Sequence, residues 1–177
     1  TTILEIGAHH GYLLADIIQF IYTLKPKLLD TLNFAIVERF PNLQEQQKKY
    51  INDSFGDIIK LNHYNDISEV KLENAYVLAN EIFDAFGCDL VYTNKENILQ
   101  QAFVSDNKIE FIDCIDDNII NHCNKYSITK GEVALSYKDF TNTICENINS
   151  FEFLTFDYGD RFPRNDFSTR VYEKHAV

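Results

Sequence analysis

The amino-acid sequence predicts an α/β fold in which helices flank a mainly parallel sheet. In the first half of the chain, apolar β-branched segments alternate with segments whose apolar residues recur at helical spacing. The segment AYVLANE is a continuous apolar run, which is typical of a strand buried on both faces of a parallel sheet. Short strands with short polar links follow in the middle of the chain, and they predict an added antiparallel hairpin.

The first half of the chain predicts a β-α-β-α-β-β order. TTILEI is rich in β-branched residues and predicts a strand, and the helical pattern of GYLLADIIQFIYTL continues until Lys25-Pro26. NFAIVERF predicts the second strand. PNLQEQQKKYIND predicts a helix because Pro41 suits a first helical position and many helix formers follow it. LNHYNDI predicts a short third strand and a loop, AYVLANE a fourth strand, and IFDAF a brief helical turn.

The second half of the chain predicts a hairpin, two helices and a last strand. CDLVYTN, NILQQAFVS and KIEFIDC read as strands, and Asp106-Asn107 between the last two favours a hairpin turn. DDNIINHCNKY and YKDFTNTICENI have helical patterns. FEFLTFDYGD predicts a final strand, which we expect to be antiparallel. RFPRNDFSTRVYEKHAV predicts a loop, with a short strand at its end as an alternative.

Length and composition suit a single domain. The chain has 177 residues and no apolar run near the ~20 residues of a membrane span. Because Thr1 already lies in an apparent strand, we predict one domain over 1–177 that is a piece of a longer chain, with a hairpin and helical insertion at about 88–130. The net charge of −11 disfavours nucleic-acid binding. The cysteines form no C-x-x-C pair, so we expect reduced thiols in a cytoplasmic protein, or in an organelle matrix if a targeting segment lies upstream.

The stretch ILEIGAHHGYL connects the first strand to the first helix through two glycines. A dinucleotide site requires G-x-G-x-x-G, but read from Gly7 this chain has His9 and Tyr12 at the other two positions. It has instead E-x-G-x-x-x-G, with Glu5 before the first glycine and Gly11 at the helix start. A carboxylate there repels a pyrophosphate, but it suits S-adenosylmethionine, which has no phosphate and carries an amino group and a sulfonium. The loop therefore favours S-adenosylmethionine.

Polar residues recur where the predicted strands end, at the edge of the sheet where α/β proteins bind ligands. Glu38 ends the second strand, and a carboxylate there can accept hydrogen bonds from both ribose hydroxyls. Asp66 follows the third strand, and Asn80-Glu81 follow the fourth. Plainer interpretations stay open: the glycines form an ordinary strand-to-helix turn, Glu38 is a surface charge, Asp66 is a loop residue, and Glu81 and Asp84 are charges at a helix start.

Several segments together resemble one known family. They are LEIGAHHGYLLADI, FAIVERFPNLQEQQKKY, LANEIFDAFGCD, KGEVAL, LTFDYGDR and STRVYEKH, in that order. The chain resembles the class I S-adenosylmethionine-dependent methyltransferases, which have a Rossmann-like fold. More narrowly it is similar to the MidA-like family (the DUF185 group), whose mitochondrial members methylate an arginine in a respiratory complex I subunit. The resemblance therefore implies protein arginine methylation linked to respiratory complex assembly, with a protein substrate.

The resemblance also implies roles for individual residues. Those on the cofactor side are Glu5, Gly7, Ala8, Gly11, Glu38, Asp66 and Asn80, with the first glycine loop along the methionine part and Glu38 at the ribose. Those implied for catalysis are Glu81, Asn80 and Asp84. Those implied on the substrate side are Asp157, Tyr158 and Gly159. Glu81 would orient a guanidinium, because a carboxylate binds this group bidentately.

The chain departs from the family pattern at two places. His9 replaces the middle glycine of the loop, where its side chain would crowd the cofactor, and Gly87-Cys88 replaces a Leu-Pro pair. Two alternatives follow: a non-catalytic assembly or interaction protein that retains the fold, or a methyltransferase acting on a small molecule. His9 and His10 have no suitably spaced companions, so we expect no metal.

Overall fold

The computed structural model describes residues 1–168, which divide into two units. The first unit contains Thr1–Ala85 and Asp139–Tyr158, and the described residues of the second are Phe86–Lys138 and Gly159–Ser168. The predicted motif STRVYEKH, and the alternative strand at the end of the chain, lie outside the described residues except for Ser168. Within the described part of the chain, no helix is long and apolar enough to cross a membrane.

A five-stranded sheet with the order β3-β2-β1-β4-β9 forms the first unit. Its strands are β1 (Thr2–Ile6), β2 (Asn33–Val37), β3 (Leu61–Tyr64), β4 (Leu72–Asn80) and β9 (Ile148–Phe156). Every neighbouring pair is parallel, which confirms that the first, second and fourth strands are parallel neighbours. The expectation of an antiparallel last strand is wrong. A parallel neighbour requires a crossover of a dozen or more residues, and the long connection between β4 and β9 supplies it.

Three helices belong to this unit: α1 (Tyr12–Leu24), α2 (Pro41–Phe55) and most of α4 (Ser136–Asn147). The helical spacing predicted α1 and α2 correctly, and Pro41 is the first residue of α2, as expected. One face of the sheet packs with α1 and α2 around an apolar core, which contains Ile3, Leu14, Ile18, Phe34, Ile36 and Ile51. This core holds the N-terminus of α1 against the carboxyl end of β1, where the glycine loop lies.

Burial differs between the strands that the sequence predicts to be covered on both faces. All residues of β1 are buried, as are the last four residues of β2. In β4, Ala75, Val77 and Ala79 are buried, but Tyr76 is 49% exposed. The prediction is therefore confirmed for β1 and β2 and wrong for β4, because an apolar run cannot specify which side chains receive a covering element.

The second unit is built on a four-stranded antiparallel sheet with the order β7-β6-β5-β8. Its elements are β5 (Asp89–Thr93), β6 (Leu99–Ser105), β7 (Lys108–Asp113), α3 (Asp117–Tyr126) and β8 (Lys130–Val133). Asp106 and Asn107 have φ values of 47° and 60° and connect paired Ser105 and Lys108, which confirms the predicted hairpin turn. The prediction of a single domain with an insertion at about 88–130 stays a prediction.

Candidate functional site

The loop between β1 and α1 turns through three residues in the left-handed region. Gly7, His9 and Gly11 have φ values of 72°, 48° and 79°. The N–H of Gly11 donates to the oxygen of Ala8 at 2.7 Å, so the chain reverses within four residues. The N–H of Gly7 donates to the oxygen of Val37 at 3.1 Å and keeps the loop beside the end of β2. The first turn of α1 therefore begins directly at the carboxyl edge of the sheet.

Glu5 is a carboxylic acid buried under this loop. It is 3% exposed, and its Oε2 accepts a hydrogen bond from the backbone N–H of Leu14 at 3.2 Å. That N–H belongs to the first turn of α1, where backbone donors lack helical partners. Burial raises the pKa of Glu5 to about 7, and the Leu14 N–H opposes this effect only in part. A cation near the loop would therefore favour the ionised carboxylate.

His9, which stands where the resemblance implies a glycine, is exposed. Its ring centroid lies 4.0 Å from that of His10. The row of rings continues from His10 to Tyr12 at 5.4 Å and from Tyr12 to Tyr50 at 5.0 Å. The imidazole of His9 thus contacts its neighbour on the protein surface, and its crowding of a cofactor stays a prediction.

Glu38 lies directly after β2 and is 7% exposed. Its Oε1 accepts a hydrogen bond from the N–H of Phe40 at 3.0 Å, and its Oε2 lies 3.5 Å from Nε2 of Gln47. A carboxylate has about four acceptor positions, so these contacts leave capacity for a ligand's hydroxyl groups. Because Gly7 is bonded to Val37, Glu38 and the glycine loop lie side by side.

Asp66 is the second residue after β3, and it is exposed. Its Oδ1 accepts hydrogen bonds from the N–H and the hydroxyl of Ser68, at 2.9 Å and 2.6 Å. These bonds lower the pKa of Asp66. The carboxylate thus caps the short 3₁₀ turn Ile67–Glu69, and its predicted contact with the cofactor stays a prediction.

A second group of polar side chains lies where β4 and β9 end. Asn80, the last residue of β4, is exposed, and the next residue, Glu81, has a φ of 49°. The N–H of Glu81 donates to the oxygen of Phe156 at 2.8 Å, which connects the ends of the two strands. The carboxylate of Glu81 lies close enough to the hydroxyl of Tyr158 to be the main cause of a raised Tyr158 pKa. A non-glycine residue in this conformation is strained, and such strain often occurs at functional sites.

Two further carboxylates belong to this group. Asp157 accepts hydrogen bonds at 2.8 Å from the N–H of Phe83 through Oδ2 and from the N–H of Tyr158 through Oδ1. The nearby Glu81 carboxylate, followed by smaller effects that include the charges of Asp157 and Asp84, raises the pKa of Tyr158. We call Glu81, Asp84, Asp157 and Tyr158 the acidic group. Its surroundings favour a cation.

The two parts of the candidate site meet at Ile82. A Cβ atom built on Gly7 would lie 3.1 Å from Cγ2 of Ile82, the residue after Glu81. The structure therefore brings together the glycine loop, Glu5, Glu38 and the acidic group along one edge of one sheet. Gly159 is exposed and belongs to the second unit.

The glutamines of α2 also contact the site, and the sequence motifs do not single them out. Gln47 is completely buried, and Gln44 donates to the backbone oxygen of Glu38 at 2.6 Å. A signal for Gln47 exists in the sequence. Leu43, Gln47 and Ile51 recur at intervals of four, which puts this glutamine on the apolar face of the helix.

No group of three or more His, Cys, Asp or Glu side chains among residues 1–168 is arranged to hold a metal ion. What the site offers is instead a glycine turn at a helix start, two carboxylic acids buried at adjacent strand ends, and an exposed acidic group. This is a set suited to an organic ligand that carries hydroxyl and cationic groups.

A protein-family model described as "Putative S-adenosyl-L-methionine-dependent methyltransferase" matches residues 1–177. The chain belongs to this family. The match confirms the predicted methyltransferase resemblance, and the cofactor in the family's description is the one that the loop chemistry favours. A search of curated proteins finds no match.

Solved structures share the fold. A COG1565 superfamily member from Burkholderia thailandensis, crystallised with S-adenosyl-homocysteine, has 17% sequence identity and a TM-score of 0.64, and the match covers 85% of this chain and 41% of that one. A native structure of a COG1565 superfamily protein from the same organism has 18% identity and a TM-score of 0.63, with coverage of 85% and 42%. The chain thus spans less than half the length of these proteins, and the likeness confirms the predicted fold class.

Proposed function

We propose that this chain forms the S-adenosylmethionine site of a methyltransferase that acts on an arginine side chain of a protein. The observation that carries the proposal is the E-x-G-x-x-x-G turn with Glu5 and Glu38 buried at adjacent strand ends, in a member of this family. The bound S-adenosyl-homocysteine of the Burkholderia thailandensis protein supports the same cofactor class.

In this proposal the cofactor lies along the glycine loop. Glu5, Gly7, Ala8 and Gly11 form the wall for its methionine part, where the turn lets the ligand approach the backbone closely. Glu38 accepts hydrogen bonds from the ribose hydroxyls. Other residues proposed to contact the cofactor are Asp66 and Asn80.

The acidic group is proposed to bind the acceptor. Its carboxylates and the Tyr158 hydroxyl suit a guanidinium, which donates several N–H bonds in one plane. A guanidino nitrogen attacks the methyl carbon in line, the new N–C bond forms as the S–C bond breaks, and the sulfur keeps the electron pair. The acceptor nitrogen then loses a proton to solvent. Glu81 orients the guanidinium, with Asn80, Asp84 and Asp157 supporting the turn that carries it.

The narrower resemblance to the MidA-like family suggests the biological setting. Its mitochondrial members methylate an arginine in a respiratory complex I subunit, so we propose a protein acceptor in respiratory complex assembly. An open acidic surface favours this class of acceptor over a small molecule, which a closed apolar pocket would suit better.

Two measurements on the full chain test the proposal. Calorimetry with S-adenosylmethionine and S-adenosyl-homocysteine measures cofactor affinity. Transfer of a radiolabelled methyl group into arginine-containing peptides, with lysine-substituted peptides as the comparison, measures activity. We expect binding of both cofactor forms and label in the arginine peptides only.

Glu81→Gln separates catalysis from binding. It keeps the size of the side chain but removes its charge, so cofactor affinity should change little while methyl transfer falls about a hundred-fold, as for loss of one transition-state electrostatic contact. The control is Glu45→Gln, at an exposed position of α2. Full activity of Glu81→Gln would remove this carboxylate from the mechanism. Absence of both binding and transfer in the unmodified protein would favour the non-catalytic interaction protein.

A further inference from the structure

Gln47 is a fully buried polar side chain of α2 that contacts both segments of the proposed cofactor site. Its exposed fraction is 0%. Its Nε2 donates to the backbone oxygen of His9 at 2.7 Å and lies 3.5 Å from Oε2 of Glu38. Its Oε1 lies 2.8 Å from Nε2 of His63. With acceptors on the nitrogen side, the amide oxygen must face the imidazole, which therefore donates from Nε2.

His63 fixes this orientation. Burial, followed by the charge of Lys48, lowers the pKa of His63 to about 4, so the ring is neutral and carries one proton at neutral pH. Its Nδ1 is buried and has no hydrogen-bond partner among the described residues. The single proton is therefore on Nε2, where it meets Oε1 of Gln47. A donor here makes the flipped amide unfavourable, because two donors would then face each other.

Close packing leaves Gln47 little freedom to move. A Cβ atom built on Gly11 would lie 3.4 Å from Cγ of Gln47, so α2 lies against the start of α1. One turn earlier, Gln44 donates to the backbone oxygen of Glu38 at 2.6 Å and to Oδ1 of Asn65 at 3.0 Å. Residues three apart share a helix face, so α2 contacts the backbone and the carboxylate of Glu38 from the same side.

We propose that Gln47 is a positioning residue for the cofactor's ribose. It holds the Glu38 carboxylate in the orientation that accepts from the ribose hydroxyls, and it ties this carboxylate to the glycine loop through the His9 oxygen. His63 acts through Gln47 by keeping its amide in one orientation. This inference rests on the proposed function, since it requires Glu38 to contact the ribose.

The test compares two ligands on the full chain by calorimetry: S-adenosyl-homocysteine and its 2′,3′-dideoxy analogue, which lacks the ribose hydroxyls. Gln47→Met keeps an unbranched side chain of similar volume and removes both polar atoms. We expect affinity for S-adenosyl-homocysteine to fall about tenfold and affinity for the analogue to change less than about twofold. Gln46→Met is the matched control, because Gln46 is an exposed neighbour on the same helix, and neither affinity should change.

A purely structural role for Gln47 would weaken both ligands by the same factor, and that result would overturn the inference, as would no change for either ligand. His63→Leu is the second variant, for use if Gln47→Met does not fold. It leaves Gln47 in place and should weaken only S-adenosyl-homocysteine, by about threefold; an equal loss for both ligands would again overturn the inference. If the unmodified protein binds neither ligand, the proposed function itself fails, and the inference fails with it.

Discussion

At the scale of single residues, the candidate site depends on carboxylates that the fold removes from water. Glu38 is 7% exposed, yet its carboxylate oxygens meet only the Phe40 N–H at 3.0 Å and the Gln47 amide at 3.5 Å among the bonds described. Glu5 has a single backbone donor, Leu14. Buried acids with few donors are unfavourable unless a ligand completes their hydrogen bonds. This arrangement is therefore more consistent with a binding site than with a structural cap.

Glu38→Ala should weaken binding of S-adenosylmethionine about ten- to a hundred-fold, since hydrogen bonds to a charged group contribute roughly 1.5–3 kcal/mol. Calorimetric titration measures the loss, and a thermal melt controls for folding, because the Phe40 N–H also loses its acceptor. An unchanged dissociation constant in a folded variant would show that Glu38 does not contact the ribose.

His9→Gly separates backbone strain from crowding. A non-glycine residue in the left-handed region destabilises the folded state by about 1 kcal/mol through strain. Glycine removes this strain, but it adds conformational entropy to the unfolded chain that costs a comparable amount, so stability should change by less than about 1 kcal/mol. Because the His9 ring is exposed and contacts His10, cofactor affinity should change less than about threefold. His9→Ala keeps the backbone strain and should be less stable than His9→Gly. Much tighter binding by His9→Gly would support crowding, and much weaker binding would indicate direct contact.

At the scale of elements, helix ends decide several local conformations. Asp116 caps the start of α3, because its Oδ1 accepts from the N–H of Asn118 at 2.8 Å, and Ser127 follows the helix in the left-handed region with a φ of 57°. The N–H of Ser127 bonds back to the oxygen of Cys123. Glycine is the residue that this end position favours, and the chain does not have it.

Ser127→Gly should therefore stabilise the second unit by less than about 1 kcal/mol, because the unfolded-chain entropy that glycine adds offsets part of the strain that is removed with a Cβ atom at positive φ. Urea denaturation followed by circular dichroism measures the change. Ser127→Ala retains the Cβ and should give no gain. Equal stability of the glycine and alanine variants would mean that the left-handed conformation is not what limits this helix end.

At the scale of the whole molecule, buried Glu5 and half-buried His63 make opposite contributions to stability as pH changes. The pKa of Glu5 is raised from 4.5 to about 7. Its contribution to the free energy of unfolding is therefore full below about pH 4.5 and is lost as pH rises to about 7. The pKa of His63 is lowered from 6.5 to about 4, so its contribution is full above about pH 6.5 and is lost as pH falls. The two effects offset each other between these limits.

Glu5→Gln should expose the effect of His63. The stability lost through Glu5 as pH rises is about 3 kcal/mol at most. The stability lost through His63 as pH falls is smaller, because solvent screens a half-buried ring. Between pH 4.5 and 7, the free energy of unfolding of Glu5→Gln should rise by about 2–3 kcal/mol relative to that of the unmodified protein. Urea denaturation at several pH values measures the difference, with Glu45→Gln as the control. A difference that does not vary with pH would contradict the raised pKa of Glu5.

Much of the fold follows from the sequence alone. Apolar spacing predicted α1, α2 and the first strands, and Asp106-Asn107 predicted the hairpin turn. The position of Glu5 before Gly7 indicated the family's cofactor. These features depend on residues a few positions apart. Backbone geometry sets the periods of helices and strands, and the chemical character of a side chain does not depend on distant residues.

Only the tertiary structure decided the features that depend on distant parts of the chain. β9 pairs parallel to β4 although the sequence suggested the opposite direction, and Tyr76 is exposed in a strand that reads as fully apolar. The contact of Gln47 with the His9 oxygen joins residues 38 positions apart, and no local pattern specifies it. The physical reason is that burial and hydrogen-bond partners are set by which surfaces pack together, and packing brings together residues that the sequence separates.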